Sequence, residues 1–282
     1  MQTVTIAGSQ VPAIGMGTWH MGDDPLLQAQ EIEAIHAGLA TGAKVIDTAE
    51  MYGSGRSETL VGKAIKGVPR DQLYLISKVL PTNASKARME RSLDASLKRL
   101  GVDDVDLYLY HWRGQTPLSE TVAELQRLTE AGKTKAWGIS NFDVSDLEEL
   151  WQLPDGPKAA ANEDLFNLGS RGVEYSLLGW QADHQLPFIA YSPVGAPDQL
   201  NTHLGRNPNV LKVAKRHNVS AYQVLLAWDV SHPQLLAIPQ SSNADHVKEN
   251  VLAGNLQLTA DDKQLLDEAY PAPTEKLPLD VL

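Results

Sequence analysis

The sequence contains no cysteine. That excludes a disulfide framework, a cysteine-ligated zinc site and a thiol nucleophile. It has no apolar run near the ~18 residues that a membrane-spanning helix needs. Basic side chains are in the minority, 24 Lys and Arg against 35 Asp and Glu, for a net charge of −11. Such a surface repels DNA, RNA and anionic lipid at long range, so neither a nucleic-acid nor a membrane role is expected; a local basic pocket for one phosphate is still compatible. The opening residues MQTVTIAGSQ lack the basic start and apolar stretch of a signal peptide, and the expected location is the cytoplasm. No Gly-x-Gly-x-x-Gly follows a strand pattern, which argues against a Rossmann dinucleotide site. The eight His make no close pair with carboxylates at metal-ligand spacing, so no metal is expected.

What is present is a regular alternation. Short apolar runs at Pro12–Gly17, Lys44–Asp47, Leu73–Lys78, Val105–His111, Thr134–Ser140, Lys158–Glu163, Pro187–Tyr191 and Leu235–Pro239 read as strands covered on both faces. Helical patterns lie between them, at Ala29–Ala40, Ala84–Leu100, Ser119–Ala131, Ser220–Val230 and Thr259–Ala269. Met89, Leu93, Leu97 and Leu100 form one apolar stripe, and Gly101 and Gly132 follow their helices as C-caps. Strand–helix alternation implies right-handed crossovers and a parallel sheet, and eight strands favour a closed (β/α)8 TIM barrel. We find no linker or composition break, so residues 1–282 are expected to form one domain, and barrels of about 250 residues commonly do so. VTIAGSQVPAIG reads as an N-terminal β-hairpin that plugs the barrel floor, and the 50 residues between Tyr191 and Ser241 leave room for a long loop and an extra helix.

The polar residues that end the strands are the informative ones. Asp47, Lys78, His111, Ser140 with Asn141, Glu163 and Tyr191 follow one another at spacings of 31, 33, 29, 23 and 28 residues, one βα unit each. In a barrel all of them fall at the C-terminal mouth, where active sites are built. Any one alone is readily a cap, a structural His or a solvated Lys; their coincidence on one rim is not. Tyr52, five residues after Asp47, lies in the loop above them. A Lys beside a phenol stabilises phenolate and is expected to lower the Tyr pKa, while Asp47 keeps that Lys charged. Tyr52 can then act as a general acid toward a carbonyl oxygen, with His111 hydrogen-bonding the same oxygen.

These segments together resemble the aldo-keto reductases over essentially the whole chain. DTAEMYGSGRSETLVGKAI is similar to that family's Asp-plus-Tyr segment, and ISK, YLYHW and WGISNF to its Lys, His and cofactor-amide segments, in order and spacing. NLGSRGVEY and AYPAP are closest to bacterial members associated with methylglyoxal and other small aldehydes. The resemblance implies reduction of small aldehydes or ketones with NADP(H), by a tetrad of Asp47, Tyr52, Lys78 and His111. It implies that Ser140 and Asn141 hold the nicotinamide carboxamide, with Tyr191 stacked on the ring. Gly17, Thr18, Trp19, Asp47, Glu163, Ser192 and Val194 would complete that end. The segment Ile238–Asn250 would cradle the adenosine end through Gln240, Ser241, Ser242, Asn243, His246, Glu249 and Asn250. Ser241 and Asn243 would face the 2′-phosphate, and Glu249 and Asn250 the adenine. Trp19, Met51 and Trp112 would wall the substrate pocket beside Tyr52 and His111. The polar loop SPVGAPDQLNTHLGRNP is expected either to fold over the cofactor or to serve as a long connection.

Two positions depart from the family pattern. Glu163 stands where Gln is usual; if ionised, it is expected to favour the oxidised cofactor. Gln240 and His246 replace a usual Lys and Arg, removing charge-assisted bonds to a 2′-phosphate of about 1.5–3 kcal/mol each. NADPH is therefore expected first, with NADH possible. Two other readings share the fold: a cofactor-binding regulatory or redox-sensing protein with low turnover, and a Schiff-base aldolase using Lys78, which would need a neutral amine. The expected partner is a small carbonyl compound and the expected state a monomer.

Overall fold

The computed structural model describes residues 1–196 and 203–282. Strands β1 (Thr3–Ile6) and β2 (Ser9–Pro12) pair antiparallel as the expected hairpin. Its turn places Ala7 and Gly8 at φ 48° and 76°, the left-handed pair that a tight two-residue hairpin requires. Val4, Ile6 and Val11 are buried against residues of the barrel interior.

The barrel strands are β3 (Met16–Gly17), β4 (Val45–Asp47), β5 (Tyr74–Val79), β6 (Val105–Tyr110), β7 (Thr134–Ser140), β8 (Asn162–Leu165), β9 (Phe188–Tyr191) and β10 (Leu235–Ala237). All run parallel, each beside its neighbours in the chain. Parallel bridges Ile14–Ala237 and Gly17–Gln240 join the first strand to the last and close the ring. The seam needs glycine: a Cβ on Gly17 would lie 2.6 Å from the Ile238 carbonyl oxygen.

Around the strands lie α1 (Gln28–Thr41), α2 (Arg56–Ala64), α3 (Met89–Leu100), α4 (Leu118–Glu130), α5 (Val144–Trp151), α6 (Leu177–Asp183), α7 (Pro208–His217), α8 (Ala221–Asp229), α9 (Ala244–Leu252) and α10 (Ala260–Ala269). Ser220 and Thr259 cap α8 and α10 in reciprocal capping boxes with Gln223 and Asp262. The extra helix between β9 and β10 is α7, opened by Asn207 and Pro208. It is tied to α10 by Arg216 and His217, which bind Asp262 at 2.9 and 2.7 Å.

Three starts differ from the sequence pattern by four residues or more. The first barrel strand begins at Met16 rather than Pro12, because Pro12 pairs with Thr3 in the hairpin. Helix α3 begins at Met89 rather than Ala84. The Lys86 N–H is given to Glu120 and the Ala84 carbonyl accepts from Thr121, so α4 claims the groups that an earlier first turn would use. Strand β8 begins at Asn162 rather than Lys158, because Gly156–Lys158 forms a 3-10 turn around Pro157.

Side chains alternate between the interior and the helix layer with period two. Val45, Tyr74, Ile76, Leu107, Leu109, Ala161 and Ile189 fill the interior. One step further along the same faces stand Asp47, Lys78, His111, Glu163 and Tyr191. The register that packs the core thus delivers five polar side chains to one mouth.

Candidate active site

Lys78 is at the centre and is fully buried. Its Nζ donates to both Asp47 oxygens at 2.5 and 2.6 Å, to the Thr48 carbonyl at 3.2 Å and to Tyr52 Oη at 3.2 Å. Glu163 Oε1 lies 3.3 Å away. Burial alone would neutralise this amine, but its carboxyl neighbours, Asp47 first, outweigh it and hold Lys78 charged, above the usual amine range. A charged amine is not the nucleophile that a Schiff-base aldolase needs.

The turn that carries Tyr52 is fixed from below. Gly53, Ser54 and Gly55 take φ values of 56°, 54° and 87°. A Cβ on Gly55 would meet Arg99 Cδ at 2.6 Å. Arg99 donates to the buried Glu58 at 2.6 Å, and Ser77 Oγ donates to the same carboxylate at 2.6 Å. Ser57 Oγ donates to Thr18, whose hydroxyl donates in turn to the Asp47 carbonyl at 2.8 Å. The phenol is therefore held by packing and hydrogen bonds rather than by its own loop.

The expected lowering of the Tyr52 pKa is corrected by the structure. Burial raises the phenol well above its ordinary value; the Lys78 charge opposes this, while Asp47 and Glu163 add to it. Pairwise reasoning from Lys78 alone omitted the larger effect, desolvation. Tyr52 keeps its proton. The His111 ring meets Tyr52 edge-on, with centroids 5.9 Å apart. Burial first, then the Lys78 charge, lowers the imidazole to about 3, so His111 is neutral.

Asp47, Tyr52 and His111 open on a cavity of about 600 Å³. Gly17, Thr18 and Trp19 line one side, and Met51 and Trp112 the outer wall. Ser140, Asn141, Glu163 and Tyr191 form the floor, continued by Ser192 and Val194. The far end is lined by Gln240, Ser241, His246, Glu249 and Asn250. Lys78 lies behind Tyr52 and does not line it. Ser242 and Asn243 do not line it either. The Ser242 carbonyl accepts from Gln30, and the Asn243 side chain caps α9 by accepting from the Asp245 and His246 amides. Of the loop after Tyr191, residues 192–196, Leu204 and Gly205 face the cavity, and residues 197–202 lie outside the described residues. The sequence reading missed His20, Ser220, Tyr222 and Leu282 on the lining. His20 stacks on Trp19 with centroids 4.6 Å apart; no strand-end pattern marks any of the four.

On the floor, Asn141 donates from Nδ2 to the His111 carbonyl at 3.0 Å and accepts from the Tyr191 hydroxyl at 2.8 Å. Ser140 Oγ donates to the Glu163 carbonyl at 2.8 Å. Glu163 Oε2 is buried and receives no hydrogen bond among the described residues.

A family model described as the aldo/keto reductase family matches residues 13–271. The chain belongs to the aldo/keto reductase family. Among relatives, it is 44% identical over 272 residues to methylglyoxal reductase YeaE of Escherichia coli (strain K12), covering 96% of this chain and 95% of that protein. Among solved structures, it superposes with a TM-score of 0.97 on an aldo/keto reductase from Klebsiella pneumoniae in complex with NADP and acetate, at 43% identity, covering 99% of both chains. A Klebsiella pneumoniae aldo-keto reductase in complex with NADPH gives a TM-score of 0.96 at 42% identity, covering 100% of both chains. The barrel with its polar mouth is thus this family's fold. No helix among the described residues is long and apolar enough to cross a membrane.

Proposed function

We propose that this aldo/keto reductase reduces small aldehydes and ketones, methylglyoxal among them, to alcohols with NADPH. The observation that carries the reading is Tyr52 Oη at 3.2 Å from the charged Lys78, beside a neutral His111, on a cavity of about 600 Å³. The residues present fit a nicotinamide dinucleotide. Glu163 Oε2 is an unclaimed acceptor on the floor beside the Asn141 amide, as a carboxamide NH2 requires, and the lining extends from there to the first turns of α9. Ser140, Asn141, Glu163 and Tyr191 would hold the nicotinamide, and Gln240, Ser241, His246, Glu249 and Asn250 the adenosine end.

A bound nicotinamide supplies the hydride. The chain supplies the proton. Tyr52, retained as a phenol, donates to the substrate carbonyl oxygen and transfers its proton as charge develops there. Lys78 stabilises the phenolate left behind, and Asp47 keeps Lys78 charged and in place. Neutral His111 orients the carbonyl oxygen. Trp19, Met51 and Trp112 present an apolar wall to a small substrate and limit its access to water.

NADPH is placed first because the similar solved structures hold NADP and NADPH. Gln240 and His246 stand at the end that would meet a 2′-phosphate, and no Lys or Arg lines the cavity among the described residues, so NADH use is part of the proposal. A cytoplasmic monomer completes the reading; gel filtration tests the latter. The deciding experiment follows oxidation of NADPH and of NADH against methylglyoxal, glyceraldehyde and an aromatic aldehyde. Cofactor binding without turnover on any of them would favour a sensing role instead.

A further inference from the structure

Two carboxyls and one amine meet at the buried edge of the site. Lys78 Nζ lies within 2.6 Å of both Asp47 oxygens and 3.3 Å from Glu163 Oε1, and all three side chains are buried. The two carboxyls also reach each other for a hydrogen bond. Were both ionised, the cluster would hold one net negative charge in a low-dielectric pocket, next to the phenol whose ionisation the reaction needs. One proton shared between the carboxyls removes that charge and lets one acid donate to the other. Geometry decides where it rests: Asp47 takes two short bonds from Lys78, while Glu163 takes one longer contact and leaves Oε2 unclaimed.

We propose that Glu163 is the proton store of this site, protonated while the bound cofactor is reduced and ionised once it is oxidised. The inference rests on the NADP(H)-dependent reading above. The Tyr52 O–H bond breaks as the substrate O–H bond forms. A Lys78 proton then moves to the Tyr52 oxygen, and the Glu163 proton replaces it by way of Asp47. One proton leaves the cluster and no electron pair does. The cluster passes from neutral to one negative charge beside a ring that carries one positive charge when oxidised. The negative charge thus ends on Glu163, a residue of the nicotinamide floor, rather than on the phenol.

The groups that face Glu163 are consistent with this. Asp47 from β4 and Lys78 from β5 touch it, and Tyr52, His111 and Tyr191 border the same cavity. Asp164, the next residue on β8, points into the layer of α5, toward Asp143 and Asp146. Burial, followed by the Asp47 charge, raises the Glu163 carboxyl well above its usual range, against the pull of Lys78.

The test counts protons on cofactor binding, without substrate. NADP+ and NADPH are titrated separately into the wild-type protein in weak buffer with a pH indicator. The 2′-phosphate is common to both and drops out of the difference. NADP+ is expected to release about one proton more per site than NADPH, and the ratio of their dissociation constants to change about tenfold per pH unit. In Glu163→Gln, titrated to saturation with each cofactor, the excess proton and the pH slope vanish. In the wild type, an infrared difference spectrum should show a protonated-carboxyl band with NADPH that NADP+ removes. Equal proton release for the two cofactors in the wild type, or an unchanged excess in Glu163→Gln, overturns the proposal. If both cofactors bind and carbonyls are reduced while proton release is equal, this inference fails and the reductase reading stands. If neither cofactor binds, both fail.

Discussion

Lys78 Nζ sits 2.5 Å from one oxygen of Asp47 and 2.6 Å from the other, with both side chains out of solvent. Removing one member strands the other's charge in the barrel. Lys78→Met is expected to lower the unfolding free energy by about 3–5 kcal/mol. The Asp47→Asn/Lys78→Met pair should lose clearly less than the two single variants added together. Urea unfolding of the four proteins measures this, and strict additivity would contradict it.

Tyr52→Phe keeps the ring against His111 and removes only the proton. Activity on methylglyoxal is expected to fall about 10²–10⁴-fold with NADPH affinity within about threefold of wild type. Full activity in this variant would end its assignment as proton donor.

At the adenosine end, restoring cations should restore discrimination. Gln240→Lys and His246→Arg are each expected to improve kcat/KM with NADPH roughly tenfold to a hundredfold, leaving NADH nearly unchanged. A wild-type preference for NADPH above about a thousandfold would show that the two replacements had removed little.

His111 carries a pH signature. Its folded pKa of about 3 lies below the ordinary value of 6.5, so the neutral ring is favoured by folding. The associated stability is present above pH 6.5 and is lost as pH falls toward 3, by about 3 kcal/mol at pH 4 if no other group intervenes. Carboxylates such as Asp262, lowered by His217, Thr259 and Arg216 against its own burial, lose stability over the lower part of the same range. His111→Asn should therefore flatten melting temperature against pH most between about pH 5.5 and about pH 4, and an unchanged slope there would refute the assignment.

Asp229 behaves in the opposite sense. It is fully buried, and neither carboxyl oxygen has a partner among the described residues. Burial, then the Glu174 charge, raises it well above its ordinary value. Stability from such a group is complete below its unfolded pKa and declines as pH rises toward the folded one. Asp229→Asn is expected to raise stability at pH 7 by at least about 1 kcal/mol and to have little effect near pH 3. Thermal melts at the two pH values decide it.

The barrel and its mouth were legible because one periodicity carries both. Asp47, Lys78, His111 and Glu163 interrupt apolar runs at the position where the inward face reaches the rim, so the polar interruption itself marks the site. What was hidden depends on three-dimensional surroundings. The late start of α3 follows from bonds to Glu120 and Thr121, more than thirty residues away in sequence. The rise of the Tyr52 pKa needs the depth of the pocket as well as the neighbouring Lys78. Asn243 carries a side chain suited to a phosphate, and only the fold reveals that it is engaged in capping α9. Asp164 and Asp229 lie in strand and helix patterns where nothing local distinguishes a buried acid from an exposed one.

The outer wall and the buried pair behind it are carried by adjacent residues, Met51 beside Tyr52 and His111 beside Trp112. Met51 and Trp112 are each 37% exposed, against 9% for Tyr52 and 8% for His111. The first pair can change shape without disturbing a strand, whereas the second pair is locked to the barrel core. The shape of the outer wall is thus open to change at Met51 and Trp112 while the neighbouring Tyr52 and His111 stay fixed by the barrel core.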